Sequence, residues 1–427
     1  MRVEFWFDFS CPYAYLASTQ IEAVCRRAGA TLELCPMLLG GVFRAIGAGD
    51  GPMSTQSLTR TRYTATDVAR WAAQGEVALA WPARHPQRTV LALRAMLGLP
   101  PAWWATAMHA LFAAYWRDRR DPTEPAELRA ALTAAGVPAT LVDAALAGAE
   151  APAIKDALRA RTDAAVARGV FGAPAMVVDD GRRQTLLWGQ DRMHLVEAAL
   201  AGWWPDDDTP GPPPAVTRPP ARRGRGQIDQ LDFYFDVASP FAYLGATQIE
   251  AVGAAVGAPV RWIPILLGAL FREVGTPDVP LLGFPEPKRR YVGRDLGHWA
   301  RWWQVPLVFP RRFPQRSVTA QRLILAAAAA GADAPALARR LFRAFWAEDR
   351  SIEEPAELGA VLAELALPAG LLEQATTPAI KDQLRANTDA ARTAGVFGVP
   401  TTVAHHDGTT SLFWGQDRLD LLAGGWW

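Results

Sequence analysis

Residues 7–24 of this chain read FDFSCPYAYLASTQIEAV, and residues 235–252 read FDVASPFAYLGATQIEAV. The two stretches are identical at 12 of 18 positions. Each begins at the end of an aromatic-rich run that is typical of a strand, and the proline that follows suits the first turn of a helix. The chain therefore carries the same strand-to-helix unit twice.

Further segments repeat in the same order, at offsets between 226 and 230 residues. The matching segments are PQR at 86–88 and 314–316, GVFGAP at 169–174 with GVFGVP at 395–400, and WGQDR at 188–192 and 414–418. A period near 228 residues is far longer than a solenoid repeat, so it indicates a domain duplication. We predict copy one at 1–204, a proline-rich and semi-extended linker at 205–228, and copy two at 229–427.

The composition is that of an ordinary folded chain, and 427 residues are enough for two cores. Hydrophobic residues make up 50% and charged residues 20%, and a net charge of +1 gives no reason to expect a nucleic acid or an anionic membrane as partner. The sequence predicts neither a secretory signal nor a spanning helix. Its three cysteines, an odd number, suit a reducing compartment, so a cytoplasmic location is expected. The six histidines show no ligand spacing and predict no metal site.

Both copies show the same order of elements. Strands are predicted at 3–9 and 31–38 in copy one, and at 231–237 and 259–266 in copy two. A long helical stretch follows, and then a helix (154–168 or 380–394), a proline-led strand, a hairpin turn (Asp180-Gly181 or Asp407-Gly408) and a final helix. The order βαβ, helical insert, αββα predicts an α/β chain of two thioredoxin-like domains, each with an inserted all-helical subdomain.

The start of the first helix in each copy is the candidate for chemistry. Unpaired backbone N–H groups and the positive end of the helix dipole stabilise a thiolate there, which predicts a low pKa for Cys11. Ser239 occupies the matching position in copy two, and either residue can donate a hydrogen bond or act as a nucleophile. The alternative is a small residue that only fills a strand-to-helix corner. Ala14 and Ala242 stand where a resolving cysteine would be, so neither copy can run a dithiol cycle at this site.

Four ordered segments of copy two resemble the 2-hydroxychromene-2-carboxylate isomerases, relatives of the kappa-class glutathione transferases within the DsbA-like thioredoxin superfamily. They are FDVASPFAYL (235–244), FPQRSVTAQR (313–322), GVFGVPTT (395–402) and FWGQDRLDLL (413–422). The resemblance covers nearly all of each copy and implies a thioredoxin fold with a helical insertion, glutathione as cofactor and usually a homodimer. In that family the serine before the proline hydrogen-bonds the glutathione sulfur and favours its thiolate. This role falls on Ser239, and Cys11 is a departure from it.

The resemblance also assigns residues to the binding of glutathione. The proline after GVFGV or GVFGA is expected to be cis, with the preceding backbone paired to the cysteinyl unit; the residues are Val399 and Pro400, and Ala173 and Pro174. The pair before the last helix resembles the contact to the γ-glutamyl end, which a helix N-terminus and an aspartate can bind; the residues are Gln416 and Asp417, and Gln190 and Asp191. The sequence alone leaves two plainer interpretations open, a strand-leading proline and a helix N-cap.

Basic residues supply the candidates for substrate binding. Arg88 and Arg316 stand where the family often has Asn, and an arginine facing the cleft would bind a substrate carboxylate in a bidentate manner. An exposed helix arginine is the alternative. The same choice, between anion binding and a solvated helix face, applies to a basic segment in each copy: Lys288, Arg290 and Tyr291, with Arg60, Arg62 and Tyr63.

The resemblance implies a glutathione-dependent isomerase that acts on a small aromatic-catabolism intermediate. The glutathione thiolate would add to a conjugated double bond, the resulting single bond would rotate, and elimination would release the isomer. Three alternatives stay open: a kappa-like glutathione transferase, a monothiol glutathione-linked oxidoreductase that uses Cys11, and a non-catalytic binding module. The short linker gives the copies a high effective concentration, which predicts an intramolecular pseudo-dimer, with a further homodimer left open.

Overall fold

The computed structural model of the chain describes residues 1–49, 51, 56–208, 211–216, 226–275 and 280–427, so the predicted linker lies partly outside the described residues. The chain divides into two compact units. Unit one contains Met1–Gln56, Thr64–Pro219 and Phe284–Asp295, and unit two contains Ser57–Tyr63, Pro220–Gly283 and Leu296–Trp427. Each unit therefore includes a short segment that the sequence assigns to the other repeat.

Unit one is built on four strands: β1 (Arg2–Phe7), β2 (Thr31–Pro36), β3 (Ala175–Asp179) and β4 (Gln184–Trp188). They form one sheet in the order β2-β1-β3-β4. β1 and β2 are parallel, so a crossover helix must join them, whereas β3 runs antiparallel to both β1 and β4 and is joined to β4 by a hairpin.

The helices of unit one follow the predicted order. The crossover helix is α1 (Pro12–Arg27), and Pro12 is its first residue. The other helices are α2 (Leu39–Ala45), α3 (Leu58–Gln74), α4 (Val90–Gly98), α5 (Trp104–Trp116), α6 (Pro125–Ala134), α7 (Ala139–Ala147), α8 (Pro152–Ala167) and α9 (Met193–Leu200). Of α3, residues 64–74 belong to this unit.

Aromatic side chains fix the sheet of unit one against the helical insertion. Phe7 and Phe9 both pack against Phe112 of α5, with ring centroids 5.6 and 5.0 Å apart. The indole Nε1 of Trp116, at the end of α5, donates a hydrogen bond to the backbone oxygen of Phe9 at 2.8 Å. The end of α5 is thereby held beneath the start of α1, where the sequence predicts the chemistry.

Unit two repeats this architecture with a sheet in the order β6-β5-β7-β8. Its strands are β5 (Ile228–Phe235), β6 (Val260–Pro264), β7 (Thr401–His406) and β8 (Thr409–Trp414). Its crossover helix is α10 (Pro240–Val256). The other helices are α11 (Leu267–Glu273), α12 (Glu286–Trp302), α13 (Val318–Ala329), α14 (Ala334–Trp346), α15 (Pro355–Glu364), α16 (Leu371–Gln374), α17 (Pro378–Thr393) and α18 (Leu419–Ala423). Of α12, residues 296–302 belong to unit two.

The predicted fold class is confirmed, and the differences are local. The first strand of each unit ends two residues early, at Phe7 and Phe235, because the following aspartate starts a turn by accepting a backbone N–H two residues on. Asp407-Gly408 is a two-residue hairpin turn with φ angles of 48° and 70°, as predicted. Asp180-Gly181 instead lies within a four-residue connection between β3 and β4, at 180–183.

Some of the described residues of the predicted linker are shielded from solvent or belong to regular structure. Its first residue, Pro205, is buried. Asp207 pairs with Arg183 at 3.0 Å, and Ile228 already belongs to β5. Across the described part of the chain, no helix is both long enough and apolar enough to cross a bilayer.

Candidate functional site

Cys11 is the N-cap residue of α1 and lies against the loop that leads into β3. Its Sγ donates a hydrogen bond to the backbone oxygen of Ala173 at 3.1 Å, and the residue is 8% exposed. Burial raises the pKa of this thiol to about 12, although the backbone N–H groups of Ala14 and Tyr13 act in the opposite direction. The sequence predicts a low pKa from the helix start alone, and here the loss of water outweighs that effect.

Ser239 holds the matching place at the start of α10. Its Oγ accepts a hydrogen bond from the backbone N–H of Ala242 at 3.2 Å, so the hydroxyl caps the helix. The same Oγ lies 3.4 Å from the backbone oxygen of Val399, to which it donates. In both repeats, therefore, a short polar side chain donates to a backbone carbonyl oxygen of the GVFGA or GVFGV segment. The carbonyl belongs to the last residue of that segment, directly before the proline.

That proline follows a cis peptide bond in each repeat, at Ala173–Pro174 and at Val399–Pro400. In the described part of the chain, the backbone N–H groups of Ala173 and Val399 form no hydrogen bond. Their carbonyl oxygens face Cys11 and Ser239 respectively. An extended peptide-like ligand that runs past this loop would find an open backbone donor next to the side chain at the helix start.

The WGQDR segment is joined directly to the same loop. Gly189 donates its N–H to the backbone oxygen of Pro174 at 3.0 Å, and Gly415 donates to that of Pro400 at 2.8 Å. Both glycines have φ near 100°, at 105° and 101°, a conformation that L side chains rarely adopt. The glycine of WGQDR is therefore required by the turn that brings this segment to the cis proline.

A second glycine explains why the GVFG and WGQDR motifs recur together. A Cβ atom on Gly172 would lie 2.7 Å from the Nε1 of Trp188, and one on Gly398 would lie 2.8 Å from the Nε1 of Trp414. Only glycine leaves room for the tryptophan ring at these two places. The two motifs therefore pack against each other next to the cis proline.

Gln190 and Gln416 open a short 3₁₀ turn and are almost fully buried, at 2% and 3% exposure. The Nε2 of Gln190 has no hydrogen-bond partner within the described residues, so a buried donor is left unused there. Each neighbouring aspartate pairs with the next arginine: Asp191 with Arg192 at 3.0 Å, and Asp417 with Arg418 at 3.1 Å. These residues lie where the sequence predicts them, and their role in ligand binding stays a prediction.

The sequence reasoning missed a buried ion pair in unit one. Arg192 binds Asp295 in a bidentate manner, with N–O distances of 2.7 and 2.8 Å, and each residue is 6% exposed. Asp295 belongs to the segment of the second repeat that is part of this unit. Both residues recur in the other repeat, as Arg418 and Asp67, and that identity was the available signal.

Tyr291, a predicted substrate ligand, packs against the WGQDR segment of unit one. Its hydroxyl accepts the backbone N–H of Trp188 at 2.8 Å, and its ring centroid lies 5.2 Å from that of Phe171. Burial raises the pKa of this phenol well above its usual range. In unit two, Tyr63 accepts the backbone N–H of Trp414 at 3.0 Å, so both tyrosines support the same turn.

The predicted basic substrate ligands lie at more open positions. Lys288 Nζ lies 4.1 Å from the ring centroid of Phe284 and 5.9 Å from that of Trp188. Arg290 pairs with Glu286 one helical turn earlier and is 74% exposed. Arg88 and Arg316 are both exposed. Anion binding by these four residues stays a prediction.

Comparison with known proteins assigns the chain to a family. A family model described as a DSBA-like thioredoxin domain matches residues 2–201 and again residues 230–425. The protein of Homo sapiens named glutathione S-transferase kappa 1 is 30% identical over 206 residues, which cover 45% of this chain and 88% of the relative. The 2-hydroxychromene-2-carboxylate isomerase of Sphingobium xenophagum is 32% identical over 202 residues, which cover 46% of this chain and 97% of the relative.

Among solved structures, that of a 2-hydroxychromene-2-carboxylate isomerase is 26% identical, with a TM-score of 0.40, and covers 47% of this chain and 95% of that chain. Each relative thus spans about half of this chain, as a single repeat does. The family model accounts for both repeats along nearly their whole length. The chain belongs to the DsbA-like thioredoxin family, with kappa-class glutathione transferases and 2-hydroxychromene-2-carboxylate isomerases among its relatives, and it carries the family's domain twice in tandem.

Proposed function

We propose that this chain is a glutathione-dependent isomerase of the 2-hydroxychromene-2-carboxylate type, which acts in the cytoplasm on a small aromatic-catabolism intermediate. Its relatives include a protein named as a glutathione transferase, at 30% identity, and one named as an isomerase, at 32%, each over nearly a whole repeat. The observation that carries the proposal is the hydroxyl of Ser239, which lies at a helix start, 3.4 Å from the backbone oxygen before the cis proline.

The residues around this hydroxyl fit glutathione. The backbone N–H of Val399 makes no hydrogen bond within the described residues and suits the cysteinyl unit of a peptide. In the first repeat, the unused Nε2 donor of buried Gln190 would suit a carboxylate or carbonyl oxygen of a ligand bound beside Cys11. When bound, glutathione supplies a nucleophilic thiol that the chain itself does not present in an exposed form.

Ser239 has the means to hold a thiolate without ionising itself. Its Oγ keeps the cap bond from Ala242, while its O–H needs only to rotate away from Val399 to donate to a sulfur anion. The present O–H···O contact of 3.4 Å is long for a hydroxyl donor, so little is lost by the rotation. A hydrogen bond to the charged form lowers the pKa of the thiol that receives it.

The absence of a second cysteine fits the same proposal. Ala242 occupies the place one helical turn on from Ser239, and Ala14 the matching place in the first repeat. A resolving thiol there would divert the sulfur chemistry into disulfide exchange. A site that borrows its thiol and releases it unchanged has no use for one.

The test is a calorimetric titration of glutathione into the full chain, with thiolate absorbance recorded in parallel. Ser239→Ala is expected to weaken binding about tenfold or to deplete the thiolate, since one charge-assisted hydrogen bond is lost. Cys11→Ala is the matched control in the first repeat and should leave the site of the second repeat intact. No binding by the unaltered chain would end the proposal.

A kappa-like glutathione transferase would use the same site and differ only in keeping the thiol on the product. Analysis of the product distinguishes the two, because isomerisation returns free glutathione and conjugation consumes it. A monothiol oxidoreductase that uses Cys11 requires this thiol to be reactive, which a pKa near 12 opposes. Rapid glutathionylation of Cys11 in the folded chain would favour that alternative.

A further inference from the structure

Asp8 lies at the end of β1, three residues before Cys11, and is 1% exposed. Its Oδ1 accepts from the backbone N–H of Ser10 at 3.0 Å, from the Ser10 hydroxyl at 3.1 Å and from the Thr89 hydroxyl at 2.6 Å. Its Oδ2 accepts from the backbone N–H of Leu39 at 2.8 Å. One carboxylate thus joins the starts of three helices, α1, α2 and α4.

The second repeat builds the same hub around Asp236, which is 2% exposed. Its two oxygens accept the backbone N–H groups of Ala238 at 3.0 Å and Leu267 at 2.9 Å. The nearby Ser317 hydroxyl lowers the pKa of this carboxyl, although burial raises it overall. The two backbone bonds are therefore preserved, although two of the three residues around the carboxylate differ in type between the repeats.

The threonine and serine beside the two aspartates stand at helix N-cap positions but do not cap their helices. Thr89 and Ser317 are the N-cap residues of α4 and α13, where Thr and Ser normally accept a backbone N–H of the helix. Neither forms a side-chain cap. In the first repeat the Thr89 hydroxyl instead donates to Asp8.

The main chain of each aspartate completes the connection to the candidate site. The backbone N–H of Cys11 donates to the backbone oxygen of Asp8 at 3.1 Å, and that of Ser239 donates to Asp236 at 3.0 Å. Each aspartate therefore holds the turn of residues 8–11 or 236–239 at both its side chain and its backbone. The conformation of that turn decides where the next side chain, Sγ or Oγ, is aimed.

We propose that Asp8 and Asp236 are positioning residues, each of which holds the side chain at the start of the first helix against the backbone oxygen before the cis proline. Burial raises the pKa of both carboxyls, so the chain keeps a costly group at this place in each repeat. The catalytic meaning of the proposal rests on the proposed function, whereas the positioning itself does not involve glutathione.

The three thiols of the first repeat give a local readout, because Cys11, Cys25 and Cys35 are all free and buried. The full chain is labelled with N-ethylmaleimide near neutral pH, and each cysteine is followed separately by peptide mass spectrometry. In Asp8→Asn the volume is kept, but an amide donor faces the N–H of Leu39 where an acceptor stood. The expected result is labelling of Cys11 about tenfold faster or more, equivalent to a tenfold shift of a local opening equilibrium, with Cys25 and Cys35 unchanged.

Two outcomes would overturn the proposal: an unchanged rate at Cys11, or an equal acceleration of all three cysteines, which reports global unfolding. Leu132→Ala is the matched control, since Leu132 is fully buried in α6 and is not a hydrogen-bond partner of Asp8. It should destabilise the unit without a selective effect on Cys11. Thr89→Ser, which installs the residue type of the second repeat, should keep the original rate, and Thr89→Val should raise it.

The second repeat allows the same measurement once a thiol is placed there. In a Ser239→Cys background, Asp236→Asn is expected to speed labelling of residue 239 by a similar factor. An unchanged rate would show that Asp236 does not position this residue. Failure of the unaltered chain to bind glutathione would defeat the proposed function and leave the labelling result standing, so the two can be told apart.

Discussion

The two repeats place different atoms at the same point of the same fold. Ser239 caps α10 and donates weakly to Val399, whereas Cys11 leaves α1 without a side-chain cap and donates to Ala173. Sulfur is a poor acceptor, so the thiol cannot replace the hydroxyl as a cap. A helix start therefore does not by itself create a reactive thiolate, because burial of Cys11 raises the pKa of its thiol to about 12.

A second difference lies in the aromatic cluster beside Trp116. His85 Nδ1 lies 2.9 Å from the hydroxyl of Tyr115, which also accepts the backbone N–H of Gln87 at 3.1 Å. Phe313 and Phe345 stand at the matching places in the second repeat. The first repeat is polar where the second is apolar.

The largest expected effect concerns the ion pair that completes unit one. Asp295→Ala would remove the bidentate partner of buried Arg192, and removal of one partner of a buried pair costs about 3–5 kcal/mol. Denaturant unfolding should show an early transition. Asp295→Asn, which keeps the shape, should cost less than Asp295→Ala, and equal stability of both variants with the original chain would contradict the interpretation.

The next effect separates the repeats by pH. Burial lowers the pKa of His85 to about 4, below the ~6.5 of an unfolded chain, so its contribution to stability is present above pH ~6.5 and is lost as pH falls towards 4. His85→Phe, which copies the second repeat, should reduce the acid destabilisation by about 2 kcal/mol after allowance for partial exposure. Unfolding curves at several pH values check this, and parallel curves for the two proteins would refute it.

A smaller effect tests whether the first repeat lacks only a hydroxyl. Cys11→Ser should restore the side-chain cap of α1 and, under the proposed function, strengthen glutathione binding by the first repeat about tenfold. Calorimetry would then report a stoichiometry closer to two than that of the unaltered chain. An unchanged isotherm would mean that other residues of the first repeat prevent binding.

The smallest effect compares two equivalent tyrosines. Tyr291→Phe removes the acceptor for the backbone N–H of Trp188, and Tyr63→Phe removes that for Trp414, so each should lower the free energy of unfolding by about 1–2 kcal/mol. Denaturant titration measures both. A large difference between the two variants would show that the repeats do not use this tyrosine alike.

Much of the fold could be predicted because the chain contains two copies of one domain, whose sequences can be compared with each other. Residues identical at offsets between 226 and 230 indicated the strand-to-helix unit, the proline loop and WGQDR, since each of these is a local pattern. The bonds between the motifs were not local. The hydroxyl of Thr89 reaches Asp8 across 81 residues, and Arg192 reaches Asp295 across 103, and no periodicity encodes such a partner.

The site was predicted in its position more than in its properties. Cys11 and Ser239 lie where the strand-to-helix pattern places them, whereas their contact with the loop before each cis proline was not predicted. The pKa of Cys11 depends on how much water the surrounding residues exclude, which is a property of packing. Sequence supplies the helix dipole, whereas burial is known only once the loop around Ala173 has been placed.

The composition of unit one bears on the order in which the chain is made. Residues 284–295 supply the bidentate partner of its buried Arg192. They also supply the hydroxyl that accepts the N–H of its Trp188. On a ribosome the first 219 residues emerge well before that segment, at roughly 5–20 residues per second. During that interval the bidentate partner of Arg192 has not yet been synthesised. The later repeat therefore completes the earlier one, and the second half of the gene acts on the folding of the first.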